Sequence, residues 1–366
     1  MTTSHQRRDP VDLLRSRDLV SEAQGDEGAD TNHVALLIRA DQPSLRTTDL
    51  PLLMSAAWLQ RGGYQTTVVL VEAVTYTPSF FAHLATQITQ LLPGVVVLND
   101  TSWTEELSYI PFLRNVGSLF DVGQMVRDRS SCTFAEFNNQ VILGYTLLHL
   151  AREYGCRLVI ADRSWWSYLV RNRSLIDHLA SKQVRVLRPV DPACPAIWLD
   201  PTLTSPFHYY QGWINVDDGS VQRLLRRYTF LPEERIAELT SVSGAALREA
   251  KRVLAYQATA IVHGHSQAHH AQEIAAAIFS GSPHELVEIS AVPEIVISES
   301  TVAIADVCVA AGLCPSKSAA RRLAQQGGLR IDDVVITDAT QPFPRRPTSL
   351  LRVGKTRIVR VRQERL

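Results

Sequence analysis

The chain has 366 residues, of which 45% are apolar and 20% are charged, and its formal net charge is zero. This composition is typical of a folded protein with two or three domains and excludes a largely disordered chain. The five cysteines form no Cys-x-x-Cys pair, no apolar run is long enough to span a membrane, and the N-terminus is polar. We therefore expect a cytoplasmic protein without disulfides, membrane spans or a signal peptide.

Strand-like and helix-like segments alternate through the first half of the chain. A short helix around 11–17 is followed by residues 20–32, which contain acids and glycines and are predicted to form a loop. Five β-branched runs then predict buried parallel strands, and three segments between them have helical spacing. The strands are expected at Val34–Ile38, Val68–Val71, Val95–Leu98, Leu158–Ile160 and Val184–Leu187, and the helices at Pro51–Arg61, Phe80–Leu92 and Phe134–Tyr154. This alternation indicates an α/β domain with a doubly wound sheet.

The second half of the chain is predicted to be helical and then basic. Four helices are expected at Val221–Tyr228, Pro232–Leu239, Gly244–His263 and Ser266–Phe279, followed by a linker. Residues 301–366 contain twelve lysines and arginines but five acids, so this segment has seven excess positive charges and the remainder seven excess negative ones. A basic module attracts polyanions, although a solvated charged face would have the same composition.

The spacing within the basic segment favours a binding surface. Ser316 follows a proline and can start a helix, on which Arg321 and Arg322 project outward while Ala320 faces inward. The pair Gly327-Gly328 supplies a left-handed stop. The segment AGLCPSKSAARRLAQQGGLRIDD closely resembles the S4-type RNA-binding domain that closes bacterial tyrosyl-tRNA synthetases, and LLRVGKTRIVRVR resembles its final strands. This resemblance implies RNA binding by six residues, which are Lys317, Arg321, Arg322, Gln326, Arg330 and Lys355.

Further segments resemble the same synthetase family. The stretch AIWLDPTLTSPFHYYQGWINVDDGSVQRLLRRYTFLPEERIAEL is similar to the junction between the catalytic and helical domains. The segments SLRTTDLPLLMSAAWLQRGGYQ, GSLFDVGQMVRD and FAEFNNQVILGYTLLHL resemble the catalytic domain. The resemblance implies a fold of five parts, which are an N-terminal helix and loop (1–32), a Rossmann-like class I synthetase domain (33–217), a helical anticodon-binding-like domain (218–283), a linker (284–300) and a small α+β S4-like domain (301–366). It also implies a homodimer, through the stretch IPFLRNVGSLFDVGQMVRD, and tRNA or another structured RNA as partner.

Both ATP-binding signatures of the family are altered in this chain. The His-x-Gly-His signature, whose imidazoles stabilise phosphate charge, aligns with Arg46, Thr47, Thr48 and Asp49. The mobile loop with two lysines aligns with a segment that begins at Arg188, contains Asp191 and prolines at 189, 192 and 195, and has no lysine. The Gly-rich turn after the second strand is replaced by residues 72–75, which lack glycine. We therefore assign no catalytic residue, and Arg46, Thr48, Asp49, Arg188 and Asp191 are altered positions.

The amino-acid pocket of the family is altered as well. A family helix presents Tyr, Gln and Asp to the substrate, and the aligned residues here are Asn139, Leu143 and Thr146. Replacing polar recognition groups in this way predicts loss of tyrosine selectivity. Trp165 is expected either to fill part of the old pocket or to pack in a core. The candidate pocket residues are Leu37, Asp41, Asn139, Leu143, Thr146, Asp162, Arg163, Ser164 and Trp165.

Three functions fit this sequence. The leading hypothesis is a synthetase-derived protein that binds tRNA or another structured RNA but does not activate tyrosine with ATP in the ordinary way. The alternatives are a tRNA-dependent or other enzyme of specialised metabolism that uses the remodelled cleft, and an active but unorthodox tyrosine-tRNA ligase. No cofactor is expected, and ATP would be used only in the ligase case. The histidines at 263, 265, 269 and 270 fit a polar helix face better than a metal site, because no nearby cysteine or carboxylate set completes one.

Overall fold

The computed structural model describes eleven segments of the chain and divides it into two compact units. The described residues are 8–25, 32–72, 79–125, 133–170, 184–241, 244, 247–280, 294–297, 302–332, 334–354 and 357–363. One unit comprises residues 1–200 and 219–238, and the other comprises residues 201–218 and 239–366. The first is described here as the α/β unit and the second as the C-terminal unit.

A six-stranded sheet forms the centre of the α/β unit, with strand order β1-β6-β5-β2-β3-β4. Its strands are β1 (Val20–Gln24), β2 (His33–Arg39), β3 (Gln65–Val71), β4 (Val96–Asn99), β5 (Leu158–Ala161) and β6 (Arg185–Pro189). Strands β2 to β6 are mutually parallel, and Leu36 lies opposite both Val68 and Ile160. These β-branched and aliphatic residues are buried on both faces of the sheet, as expected for a parallel sheet covered by helices. The predicted α/β fold is confirmed.

Strand β1 corrects one prediction, since residues 20–32 were expected to form a loop. Val20 to Gln24 instead pair antiparallel with β6 at the edge of the sheet. The sequence hides this strand because most of its side chains are polar and at least partly exposed, which is typical of an edge.

The four helices predicted for this part of the α/β unit begin and end within one residue of their predicted bounds, whereas three short helices after β4 were not predicted. In chain order, the helices are α1 (Pro10–Ser16), α2 (Leu50–Arg61), α3 (Phe81–Leu91), α4 (Thr101–Thr104), α5 (Tyr109–Asn115), α6 (Val122–Met125) and α7 (Phe134–Glu153), with short 3-10 turns at Gly117–Leu119 and Arg163–Trp165. Helix α7 begins with a capping box in which the side chains of Thr133 and Glu136 each accept a backbone N–H. This fixed start sets the rotation of α7, which buries Leu143, Thr146 and Leu147.

The boundary predicted at residue 218 differs from the division observed. Helix α8 (Pro206–Ile214) falls in the C-terminal unit, whereas α9 (Val221–Tyr228) and most of α10 (Glu233–Thr240) belong to the α/β unit. The physical reason is a set of contacts between α9 and the α/β unit, including the buried side chain of Arg227, which hydrogen bonds to Asp18. The sequence shows only that α9 is amphipathic and leaves open which surface it covers.

The C-terminal unit contains a group of helices and a small sheet. Helices α8, α11 (Leu247–His263) and α12 (His265–Ser280) contact one another. In chain order, the elements of this last part are β7 (Glu294–Ile297), α13 (Ile304–Ala310), α14 (Lys317–Gln325), β8 (Leu329–Ile331), β9 (Val334–Val335), β10 (Thr348–Val353) and β11 (Arg357–Gln363). The five strands form the sheet in the order β7-β11-β10-β8-β9. Strand β7 lies within residues 284–300, which were predicted to be a linker, and pairs parallel with β11. This strand has only four residues, and no pair of turn residues in the sequence set it apart from the predicted linker.

Candidate functional site

The carboxyl ends of the parallel strands bring several of the predicted pocket residues to one edge of the α/β sheet. Asp41 follows β2 and accepts hydrogen bonds from the guanidinium of Arg39. Asp162 follows β5, and its carboxylate accepts the backbone N–H of Ser164 at 2.8 Å. Ligands of open α/β sheets bind outside this edge, so the residues there decide what the cleft can hold.

Asp49 is enclosed by the turn that precedes α2. Its Oδ2 accepts hydrogen bonds from the backbone N–H of Arg46 at 2.8 Å and from the amide of Gln42 at 2.9 Å. Burial raises the pKa of Asp49 to about 6, and the negative charge of Asp162 adds to this rise. The aspartate therefore organises its own turn, and its hydrogen bonds face inward to Arg46 and Gln42.

The proline-containing segment 190–198 is bound to the turn before α2. The backbone N–H of Thr47 donates to the carbonyl of Ile197 at 2.8 Å, and the N–H of Ile197 donates to the Thr47 hydroxyl at 3.0 Å. The same hydroxyl donates to the carbonyl of Pro195. Next to these bonds, the guanidinium of Arg46 lies 3.8 Å from the ring centroid of Trp198, which is a cation–π contact. The Arg46 side chain thus packs on the Trp198 ring and does not extend toward a ligand.

Helix α9 holds the other end of the same segment. Arg227 donates to the carbonyl of Asp191 at 2.6 Å, and the hydroxyl of Tyr228 donates to the carbonyl of Pro192 at 2.8 Å. The Cys194 thiol lies 3.3 Å from the Tyr228 hydroxyl. Residues 190–198 are therefore fixed by hydrogen bonds at both ends, in addition to the restriction that Pro192 and Pro195 impose on φ.

The two remaining cations of the predicted site are paired. Arg163 forms an ion pair with Asp191. Arg188 pairs with Glu22 on the neighbouring strand β1 at 2.7 Å. The structure thus places Arg188 beside the edge strand of the sheet.

Apolar side chains occupy the part of the α/β unit that carries the predicted pocket residues. Leu37 and Leu143 are buried members of one core cluster, against which Trp165 packs in a partly buried position. Thr146 is fully buried, and its hydroxyl accepts the indole N–H of Trp103 at 3.3 Å. Of the candidate pocket residues, Asn139 is partly exposed and Ser164 is exposed.

Asp100 is a buried carboxyl that sequence reasoning missed. It follows β4, is 1% exposed, and accepts the backbone N–H of Glu72 at 3.0 Å through Oδ1. Burial raises the pKa of Asp100 to about 7, and the nearby carboxylate of Glu72 contributes. The only sequence signal was its position directly after a predicted strand, which is where α/β proteins place functional polar groups.

The predicted RNA-binding side chains are gathered on the C-terminal module. Ser316 caps α14 by accepting the N–H of Ala319, and Gly327 ends the helix with a φ of +69°, as the spacing predicts. Arg321, Arg322 and Gln326 are exposed, Arg330 is partly buried on β8, and Lys317 forms an ion pair with Asp306. Lys355 lies outside the described residues.

Two further searches cover the described part of the chain. No helix there is both long enough and apolar enough to cross a bilayer. Within those same residues, histidines, cysteines and acids do not gather in threes as a metal-binding group would require.

Comparison with known families gives two matches that follow the order of the domains. Residues 191–280 match the family of class I tRNA synthetases for tryptophan and tyrosine, and residues 304–342 match the S4 domain. A tyrosine–tRNA ligase of Clostridium kluyveri is 34% identical over 290 residues, which cover 73% of this chain and 70% of that protein. A tyrosine–tRNA ligase of Clostridium botulinum is 34% identical over 263 residues, covering 66% of this chain and 64% of that protein.

Solved structures agree with the fold. The mitochondrial tyrosyl-tRNA synthetase of Aspergillus nidulans, in a C-terminally truncated form, aligns with a TM-score of 0.65 at 20% identity, covering 73% of this chain and 92% of that one. The truncated mitochondrial enzyme of Coccidioides posadasii aligns with the same TM-score at 16% identity, covering 74% of this chain and 92% of that one. With the sequence match to the clostridial proteins, these findings establish that the chain belongs to the tyrosyl-tRNA synthetase family and carries a C-terminal S4 domain.

Proposed function

We propose that this chain is a tRNA-binding member of the tyrosyl-tRNA synthetase family that does not activate tyrosine with ATP in the ordinary way. The observation that carries the proposal is the fixed segment 190–198, which overlaps the stretch that we align with the family's mobile ATP-binding loop. It contains no lysine and is hydrogen bonded to Thr47 on one side and to Arg227 and Tyr228 on the other.

The electrostatics of the same region support the proposal. Adenylate formation places negative charge on the transferring phosphates, and class I enzymes stabilise this charge with histidines and lysines. Here the nearest cation of the turn, Arg46, is stacked on Trp198, and the carboxyl of Asp49 lies at the start of α2. A triphosphate placed there would meet a carboxyl group and would gain little compensating positive charge.

The apolar filling of the old pocket supports the loss of tyrosine recognition. A ligand with an ammonium and a phenol needs polar groups that converge on both ends, since leaving such groups unpaired costs about 1–3 kcal/mol each. Leu37 and Leu143 are buried in the core cluster against which Trp165 packs. These two side chains consist of carbon atoms only, so they cannot hydrogen bond to the ammonium or the phenol of tyrosine. This packing also favours a binding protein over an enzyme that has acquired a new reaction in an open, polar cleft.

RNA binding is supported by the S4 domain and its exposed cations. Arg321 and Arg322 stand on the exposed face of α14, where each can neutralise one phosphate and release counterions. We propose tRNA as the RNA, because relatives that match about two thirds or more of this chain are named tyrosine–tRNA ligases.

We also propose that the protein acts as a homodimer. Three apolar residues of α5 and α6, Tyr109, Ile110 and Val122, are each more than half exposed. Exposed apolar surface of this kind is a mark of protein interfaces. Ile110 and Val122 lie in the segment whose sequence resembles the dimer interface of the family, and Tyr109 directly precedes it.

Two measurements on the purified protein test the proposal together. Titration with total cytoplasmic tRNA at two salt concentrations should show binding that weakens steeply as salt rises. Tyrosine-dependent exchange between ATP and pyrophosphate should remain at the level of a control without tyrosine. Exchange above that control would overturn the proposal, and a failure to bind tRNA at low salt would overturn its RNA-binding half.

An active but unorthodox tyrosine-tRNA ligase is the second candidate. The names and 34% identity of the clostridial relatives favour it. The exchange assay separates the two candidates, since a ligase must form tyrosyl-adenylate before it can charge tRNA.

A further inference from the structure

Two cysteines of the S4 domain lie in contact inside its core. Cys308 is on α13 and Cys314 is in the turn before α14, and the two residues are 0% and 5% exposed. The two thiols are close enough that each affects the pKa of the other. Both belong to the core cluster of this domain, where a pair of small apolar residues would otherwise be the default filling.

The backbone brings these two cysteines side by side. Helix α13 ends at Gly312, whose φ of +66° turns the chain back, so that the N–H groups of Leu313 and Cys314 both donate to the carbonyl of Cys308, at 2.9 and 3.0 Å. A disulfide needs Cα atoms about 4.4–6.8 Å apart. The direct backbone hydrogen bond between Cys308 and Cys314 is the observation that points to such a pair.

The same two segments are joined by an ion pair that involves a predicted RNA contact. Asp306 lies two residues before Cys308, Lys317 lies three residues after Cys314, and their side chains form an ion pair. Lys317 is 60% exposed, so RNA phosphate and the Asp306 carboxylate compete for its ammonium group. Any restraint that holds the start of α14 against α13 favours the aspartate in this competition.

We infer that Cys308 and Cys314 form a reversible dithiol–disulfide pair whose oxidation holds Lys317 against Asp306 and weakens RNA binding by the S4 domain. The regulatory half of this inference rests on the proposed RNA-binding function. The disulfide itself does not depend on that function and is tested separately.

The oxidant is a small hydroperoxide, which can reach a nearly buried thiol. The Cys314 thiolate attacks one oxygen of hydrogen peroxide, the O–O bond breaks, and the departing hydroxide takes a proton to become water. The Cys308 thiol then attacks the sulfur of the Cys314 sulfenic acid, the S–O bond breaks, and the departing hydroxide takes the thiol proton to become a second water. Two thiols are oxidised and one peroxide is reduced to two waters, and an added dithiol reverses the step.

Cys314 is the first to react because of its surroundings. Burial raises the pKa of both thiols, that of Cys308 to about 12, but the positive charge of Arg357 opposes the rise at Cys314. The guanidinium of Arg357 is fixed close by through its hydrogen bond to the carbonyl of Leu313 at 2.6 Å. The thiolate is the reactive form, so the cysteine beside the cation leads the reaction.

Peptide mass spectrometry after peroxide treatment of the full chain tests the disulfide. Trypsin leaves Cys308 and Cys314 in one peptide, residues 253–317, which contains no other cysteine. We expect this peptide to lose two hydrogens after treatment and to regain them with dithiothreitol, while the peptide with the buried Cys156 is unchanged. In the Cys308→Ser variant, Cys314 should instead retain a sulfenic acid that dimedone labels. A native protein whose 253–317 peptide keeps two free thiols, or carries only separate oxidised cysteines, would refute the site.

Binding of total tRNA by the reduced and oxidised protein tests the consequence. Oxidation should weaken binding about two- to fivefold and lower the salt slope by roughly one phosphate contact. The effect should disappear in Asp306→Asn, which still forms the disulfide, and in Cys314→Ser, which cannot. A disulfide that leaves tRNA affinity unchanged would overturn the regulatory half alone, whereas an absence of tRNA binding in both states would overturn the proposed function and that half with it.

Discussion

The hydrogen bonds of Arg227 allow a quantitative test of how segment 190–198 is held. The Arg227 side chain is 6% exposed and donates to the Asp18 carboxylate at 2.7 and 3.0 Å and to the carbonyl of Asp191 at 2.6 Å. Replacement by methionine keeps much of the side-chain volume but removes every one of these bonds. Breaking a buried ion pair costs about 3–5 kcal/mol. The Asp18 side chain is 42% exposed and regains water, so we expect the lower end, about 3 kcal/mol.

Urea unfolding followed by tryptophan fluorescence measures this loss in Arg227→Met. The thermal midpoint should fall by roughly 6–12 °C, since each kcal/mol shifts a unit of this size by about 2–4 °C. The neighbouring variant Arg226→Met is the matched control, because both side chains of the Arg226–Glu233 ion pair reach solvent, with 33% and 45% exposed, and the pair should contribute about 1 kcal/mol. Equal stabilities of the two variants would refute the view that Arg227 fixes segment 190–198 to the α/β unit.

Three further predictions follow from particular side chains. Asp49 keeps its proton to about pH 6 in the folded protein but only to about pH 4 in the unfolded chain, so the free energy of unfolding should fall as pH rises between these values. In urea unfolding, the Asp49→Asn variant should lack this fall and be more stable than the native protein at pH 7. If the free energies of unfolding of both proteins change with pH in parallel, the argument is wrong. Leu37→Ala should cost about 2–5 kcal/mol without creating tyrosine-dependent exchange, because Leu37 is fully buried in the core cluster; a gain of exchange activity would show that Leu37 blocks a working pocket. Arg321→Gln and Arg322→Gln should each weaken tRNA binding and lower by about one the slope of log affinity against log salt concentration. Arg235→Gln is the control, because Arg235 pairs with Glu238 on α10 and should not contact RNA. An equal effect of all three variants in a filter-binding titration would show that tRNA binding depends on overall charge and not on α14.

The local elements were readable from the sequence because each has a strong short-range signal. The five parallel strands are runs rich in β-branched residues, four of them largely buried, and α14 carries its own start at Ser316 and its own stop at Gly327. The three strands that sequence reasoning missed, β1, β7 and β9, lie at the edges of their sheets. An edge strand is defined by the neighbour it pairs with, and no short-range pattern reports that neighbour.

The sequence predicted which residues belong to the candidate site but not which contacts they make. The sequence placed Arg46, Asp49, Arg163 and Asp191 near one edge of a sheet. It did not show that Arg46 stacks on Trp198 or that Arg163 pairs with Asp191, because these partners are distant in the chain. Ion pairs and ring contacts carry no sequence signal of their own, since arginine and aspartate are equally common on solvated surfaces.

The sequence by itself determined the α/β fold, the S4 domain and the chemical types left at the synthetase signature positions, because these depend on residue identity and short-range periodicity. Only the tertiary structure decided how segment 190–198 is held, that Leu37, Leu143 and Trp165 pack together, that α9 belongs to the α/β unit, and that Cys308 meets Cys314. Each of these depends on groups brought together by the folded chain, where distance in space, burial and hydrogen-bond geometry set the energy.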